Sequence, residues 1–574
     1  MILTAFLIGC NDDSMDLYPL TSISSETFWN TENDLKIYNN NFYNYAISPS
    51  MRLLIGNNES SSTLNSQYSY DGMTDNDVRS KSYNANFCNI RAGKIVPDTN
   101  PFSFGWNATC FNFARAINIG LANYDKAKTT QEVINKYKGE ARLFRGWMVA
   151  DKVNLYGDYP WLDKELTTES EELFGKRTPR DTVMNKVLAD LDFACANLPA
   201  NWGDGSAPGR LNRWCALLVK SRICLFEGTW RKYHGGADAN KWLQAAADAA
   251  NEIITSGPYK LYTKGNFTNN YNAIFRMGDL TGVDEVMCWR RYKSGLSVNS
   301  FQIYLWMFSA TKSMVEDYLC TDGLPITLSP LYKGDAVYED IFENRDPRLR
   351  QTILHPADVS FYKWGNPTPG LLGVISAGSN TGYQTIKFYN NDIDLLGHDG
   401  YTPCIILRFG EVLLNYAEAK AELGTINQTD LDRSINKLRD RVGMPHLKLN
   451  NVPVDPRYTS DGVSPLIVEI RRERRVELFS EGFRYDDLRR WKQGAKLTKK
   501  DYGIRWDEAY KAKYDPKNKC SLKSENFPGT TIPYICPNKG GDFENPVFEQ
   551  RFYLWPIPVD ARSENPALGQ NPGY

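Results

Sequence analysis

Apolar residues recur at helical spacing through long stretches of the chain. In LRFGEVLLNYAEAKAELG, residues Phe409, Val412, Leu413, Tyr416, Ala419 and Leu423 fall on one face, and Gly424 stops the run. A second helix is expected over 430–442, after a turn that begins Gly-Thr-Ile-Asn. The same logic pairs 137–155 with 180–198, and 216–229 with 242–255. Small Ala and Gly residues stand where such helices must approach closely. Paired helices of this length resemble tetratricopeptide-type units, which bury their apolar faces only by stacking.

Between 257 and 403 the helical period fades. Gly, Asn, Pro and aromatic residues rise, and short strand-like runs appear, so this stretch reads as an irregular lobe packed on the helices. The predicted fold is mainly α: a helical scaffold over 106–256 and 404–494, with that loop-rich lobe between. A loop-rich N-terminal part (48–105) and an irregular C-terminal part (495–574) complete it. No low-complexity linker separates these regions, so 10–574 is expected to form one body.

Composition narrows the function classes. The 574 residues are 42% hydrophobic, and 67 Lys and Arg stand against 68 Asp and Glu, a net charge of −1. This balance argues against a nucleic-acid partner, which needs an excess of positive charge. The chain has 33 Tyr and 14 Trp. Its eleven cysteines form no CxxC, and its four histidines are far apart, so no Zn site is expected. Cys195, Cys215 and Cys224 read as small buried hydrophobes. Cys520 and Cys536 are left open between free thiols and a disulfide across a loop.

The first nine residues, MILTAFLIG, are too short to cross a bilayer and lack the basic start of a secretory signal. They are read as the tail of a signal peptide. Leu7-Ile8-Gly9-Cys10 resembles a bacterial lipobox, which makes Cys10 the expected lipidation site, and the following Asn11-Asp12-Asp13 resembles a lipoprotein surface-export signal. The alternative is an incidental cysteine at a frayed terminus or a misplaced start.

Two polar motifs invite a chemical reading. ERRVELFSEGFR places Glu473, Glu477 and Glu481 among Arg474, Arg475 and Arg484. Glycosidases use two carboxyl groups facing each other across a sugar, one with a raised pKa. Carboxylates interleaved with arginines on one helix face are instead expected to form ion-pair ladders, so the motif reads as scaffold. YSYDGMTDND (68–77) lacks the spacing of an EF-hand and reads as a capped turn. No cofactor is expected, and a structural Ca²⁺ stays open.

Aromatic clusters in loops are the better candidates. Sugars present apolar C–H faces rimmed by hydroxyls, so a site for them needs flat rings beside polar side chains. WRRYKSGLSVNSFQIYLWMF (289–308) supplies Trp289, Tyr292, Tyr304 and Trp306. In an extended segment Tyr304 and Trp306 share a face, roughly 7 Å apart. Tyr362 and Trp364, and Tyr68, Tyr70, Tyr83 and Phe87 with Asp71 as a polar partner, complete the candidate glycan-binding set.

Five stretches, in this order and at these distances, resemble the SusD/RagB family of outer-membrane lipoproteins. They are GEARLFRGWMVADKVNLYGDYP (139–160), RDPRLRQTI (345–353), LRFGEVLLNYAEA (407–419), IRRERRVELFSEGFRYDDLRRWKQG (470–494) and the closing WPIPVDARSENPALGQNPGY. The resemblance implies four tetratricopeptide-like helix pairs with an irregular lobe. It also implies a lipid anchor in the outer membrane, facing outward, and a SusC-like TonB-dependent transporter as partner. It implies non-catalytic capture of glycans and their delivery to that transporter. Some members bind peptides, which leaves a peptide- or protein-binding scaffold as the alternative. The motifs transfer no binding residue, so the candidates above rest on composition and placement.

Overall fold

The computed structural model describes residues 28–46, 67–78, 85–98, 106–167, 169–293, 295, 299, 301, 305, 308–357, 362–363, 366–367, 380–390, 400–516, 520–541 and 543–574. Its first half holds α1 (Glu32–Ala46), α2 (Ala85–Arg91), α3 (Ala108–Asn123), α4 (Gln131–Tyr156), α5 (Arg180–Asn197), α6 (Arg213–His234) and α7 (Ala239–Ser256). Among the described residues, the lobe that follows carries the short α8 (Ala273–Arg276), α9 (Lys312–Glu316) and α10 (Pro347–Thr352). Helices resume with α11 (Phe409–Glu422), α12 (Gln428–Arg433), α13 (Ile435–Arg441), α14 (Pro465–Glu477) and α15 (Arg484–Arg490), then α16 (Glu508–Tyr514) and α17 (Val559–Glu564).

The expected pairs form: α4 packs on α5, and α6 on α7, while α11 lies against α7 and α14. Helix α1, not anticipated from the apolar spacing, packs with α3 on α4. Local chemistry sets the ends. Asn212 caps α6 by accepting from Cys215 N, and Gly235, at φ +90°, closes it. Gly228 shows why a small residue was needed within α6. A Cβ there would sit 2.8 Å from Leu243 Cγ and 2.9 Å from Leu243 N on α7, so only a bare backbone permits this approach.

One predicted helix is two. The 430–442 stretch breaks at Ser434 (φ −128°, ψ −92°), which separates α12 from α13. The Asn436 side chain meets the following loop instead, accepting from Leu447 N at 2.7 Å, and this supports a change of direction that periodicity does not encode.

The lobe is tied to the scaffold by β1 (Val286–Arg290), which pairs antiparallel with β4 (Cys404–Arg408), Trp289 opposite Ile405. Strand β4 runs directly into α11. The minor pairs are β2 (Tyr362–Lys363) with β3 (Asn366–Pro367), and β5 (Ser524–Asn526) with β6 (Pro533–Ile535). The largest apolar core spans α1 and α3 to α7 and continues through α11 to α14. The lobe has a core of its own built on Tyr68, Phe275, Trp289, Phe301, Phe308 and Phe388. Cys195, Cys215 and Cys224 are buried, as expected, and Cys520 and Cys536 are free thiols.

Candidate functional site

The most charged motif of the sequence lies inside the protein. Glu473 and Glu477 end α14, and Glu481 lies in the turn beyond. Their partners come from other elements rather than from their own helix. Arg408, the last residue of β4, donates to Glu477 Oε1 at 2.8 Å and to Glu481 Oε2 at 2.7 Å. Arg348 of α10 donates to Glu473 Oε1 at 2.5 Å, and Arg441 of α13 to Glu477 Oε2 at 2.5 Å. The motif's own arginines also face outward from the helix: Arg474 pairs with Asp487 of α15, and Arg475 with Asp317 and Asp75. The expected ladder along one helix is therefore a buried three-dimensional network. Burial alone would raise the Glu477 carboxyl, but Arg441, Arg408 and Arg348 hold it well below the ordinary range. A carboxylate so enclosed has no access to a sugar and no proton to give.

The sequence motifs 139–160 and 555–574 clasp each other in the same structural manner. Leu155 O accepts from Trp555 N at 2.7 Å, and Tyr156 O accepts from the Asn571 side chain at 2.9 Å.

In YSYDGMTDND the capped turn is present. Thr74 Oγ1 donates to Asp71 O at 2.7 Å, and Asp71 accepts from the Asn76 side chain and from Ser480 N. Asp75 takes both forks of Arg484 at 2.8 Å. These acids hold the N-terminal turn against the charged motif.

Three described segments, 77–78, 308–310 and 380–385, meet as stems joined by hydrogen bonds. Val78 N donates to Ser309 O at 2.9 Å, and Ser309 N to Asp77 Oδ1 at 2.7 Å. On the other side, Ala310 N donates to Tyr383 O at 3.0 Å, Thr385 N to Phe308 O at 3.0 Å, and Asn380 N to Ser309 Oγ at 3.0 Å. Asn299 N donates to Gly400 O at 2.7 Å. In sequence, 79–84, 306–307, 368–379 and 391–399 adjoin these pins and lie outside the described residues, and Tyr83 and Trp306 fall within them.

The rings themselves divide sharply. Tyr68 is buried, stacked on Phe388 with centroids 4.3 Å apart, and its hydroxyl accepts from Ile405 N. Trp289 and Tyr292 are buried in the same core, Tyr70 and Phe87 in a neighbouring one, and Asp71 is wholly enclosed. These six are corrected from binding surface to core, because a side chain enclosed by the protein offers almost no surface to a ligand. Tyr83, Tyr304, Trp306 and Trp364 lie outside the described residues, as does Cys10. Tyr362 is described only as backbone of β2.

Beside the stems, where Ala310 leads into α9, a cleft of about 570 Å³ opens. Tyr458, Tyr502 and Phe527 line it together with Lys312, Lys496 and Asp461. The Lys312 ammonium lies 4.6 Å from the Tyr534 ring centre and 5.6 Å from that of Phe527. Burial, aided by nearby Arg484, pushes the Lys496 ammonium down to about 8, and Asp461 holds it at 2.7 Å. Flat rings next to charged donors suit a saccharide. The sequence reading missed these residues because they come from four separated segments. The aromatic spacing of Tyr502 and Phe527 within the irregular C-terminal part was the available signal.

Known proteins resolve what the geometry leaves general. Residues 304–574 match the SusD family. Over that stretch the chain is similar to the SusD/RagB family. SusD-like protein P2 of Formosa agariphila is 24% identical over 382 residues, 66% of this chain and 68% of that protein. Among solved structures, a SusD-like carbohydrate binding protein from Bacteroides fragilis superposes with a TM-score of 0.74 at 22% identity, covering 94% of this chain and all of the other. A laminarin binding SusD-like protein gives 0.61 at 18% identity, over 95% of this chain and all of the other. These likenesses establish a mainly helical SusD-like fold across nearly the full length. No helix among the described residues is long and apolar enough to cross a membrane.

Proposed function

We propose that the protein is a non-catalytic glycan-binding lipoprotein of the cell surface. It captures oligosaccharide or polysaccharide and passes it to a SusC-like TonB-dependent transporter. The observation that carries this reading is the cleft lined by Tyr458, Tyr502 and Phe527 with Lys312 and Lys496, beside the hydrogen-bonded stems at Val78, Ser309 and Tyr383. Tyr83, Tyr304, Trp306, Tyr362 and Trp364 supply the rings. The Bacteroides fragilis neighbour is titled carbohydrate binding, and another neighbour laminarin binding, which supports the same ligand class here. Anchoring runs through acyl chains on Cys10, and two or more such chains hold a protein stably.

Binding is weak by design of the site: loop-built, wet surfaces order flexible chains at a cost, so a Kd roughly micromolar or weaker follows. Weak capture also suits release into a channel. Incubation of the purified protein with a panel of oligosaccharides is the test. Saturable binding without chain shortening is expected, and reducing ends released above a protein-free control would overturn the reading. Replacing Cys10 with serine should free the protein from whole cells, and unchanged attachment would overturn the anchor.

A further inference from the structure

A second cleft lies on the helical scaffold, formed by different elements from those at the loop stems. It measures about 810 Å³, between the end of α7, the 259–270 segment, the start of α11 and helices α12 and α13. Lys260, Arg433 and Lys437 line it against a single carboxylate, Asp440, which already bonds His446 Nε2 at 2.6 Å; the fourth lining cation, Arg441, is already neutralised by Glu285 and Glu477. This local excess of cations stands out in a chain whose net charge is −1. Lys260 and Lys437 are exposed and enter no ion pair among the described residues. Arg441 is fully buried in the glutamate network, yet its Nε has no hydrogen-bond partner.

The cleft also has a prepared ring. Phe267 is 57% exposed, unusual for so large an apolar side chain. It lies against Gly443 (φ +72°), where a Cβ would meet the ring at 2.9 Å. Its loop is hydrogen-bonded within itself and to α13: Gly265 N donates to Asn270 Oδ1 and Asn266 N to Asn269 Oδ1, both at 2.8 Å, while the Asn270 amide donates to Arg441 O. Phe267 O accepts from Gln351 Nε2 at 3.1 Å. An ordered ring that stays in solvent costs little entropy when a ligand arrives, and cations at the rim select among ligands by charge.

We propose that this cleft is a second saccharide site, selective for sugars that carry a carboxylate or sulfate group. Phe267 receives a C–H face of the sugar ring, and Lys260 and Lys437 receive the anionic substituent. This inference rests on the glycan-binding reading but not on the cleft that carries it.

Calorimetry on the full chain tests it with three probes: trigalacturonate, its methyl ester and a sulfated galactan tetrasaccharide. At least one charged probe should bind, with an affinity that falls as salt rises, and the methyl ester should not bind. The double substitution Lys260→Glu and Lys437→Glu should weaken the charged probe by roughly five- to tenfold, and Phe267→Ala should weaken it further. Both lysines are exposed, so an unchanged melting temperature verifies the fold of the variant. Equal binding of acid and ester, no binding of either charged probe, or indifference to the double substitution would each overturn the proposal. Trp306→Ala, run in parallel, separates the two readings. Loss of neutral-glycan binding there concerns the loops alone, whereas control of the charged probe by Trp306 in place of the lysines would sink the cleft.

Discussion

Arg408 Nη1 lies 2.8 Å from Glu477 Oε1, and neither side chain is more than 2% exposed. Arg408 ends the strand that returns from the lobe, and Glu477 ends α14, so this contact joins lobe to scaffold. Removing one partner of such a pair leaves an uncompensated buried charge. Glu477→Gln should therefore cost about 3–5 kcal/mol of stability, read from the midpoint of urea unfolding. Arg408→Met should cost a similar amount, and the double variant less than the sum.

The same pair carries a pH signature. The Glu477 carboxyl is held well below its ordinary value of 4.5. Between those two values the unfolded chain binds the extra proton, so stability falls as pH falls. The contribution is complete above about pH 5 and shrinks on acidification toward about pH 3. The cost of Glu477→Gln should shrink over that window, measured as the difference in unfolding free energy between the variant and the natural chain. A constant difference would contradict the assigned depression. Asp71, which burial raises, works in the opposite direction, and comparing the two proteins cancels it.

Close approach of α6 and α7 gives a steric prediction. Gly228→Ala puts a methyl group 2.8 Å from Leu243 Cγ. Overpacking of this kind should lower stability by about 1–3 kcal/mol, visible as a lower melting temperature with ligand binding unchanged.

Buried and loop-borne rings should respond differently to truncation. Tyr68→Ala removes a core ring and the acceptor for Ile405 N, which should cost about 3–5 kcal/mol. Trp306→Ala and Trp364→Ala should leave the melting temperature unchanged and abolish measurable glycan binding. The paired experiment, thermal melting beside calorimetry, sorts structural rings from recognition rings.

These differences mark where the sequence was legible. Helices α4 to α7 and α11 were readable because one face of each repeats with the helical period, and Gly424 ended its run as a C-terminal glycine does. The break at Ser434 was not, since both halves keep apolar spacing and the tertiary partner that turns the chain, the loop at Leu447, is remote. Tyr68, Tyr70 and Trp289 look alike in composition to surface rings. The lobe folds a core of its own around Phe388, and that burial becomes visible only when distant segments are assembled. The scaffold role of ERRVELFSEGFR was foreseen, but its partners Arg348, Arg408 and Arg441 were not. Pairing was sought along one helix, whereas the arginine-rich RDPRLRQTI, with few acids of its own, pointed to carboxylates elsewhere.

The pins at Val78, Ser309, Tyr383 and Gly400 are made largely by peptide groups. A peptide group is the same whatever residue bears it. Point changes in the intervening stretches therefore leave the attachment chemistry untouched. On the proposed glycan-binding reading, ligand preference can then change by small substitutions, without a fresh solution to the folding problem each time.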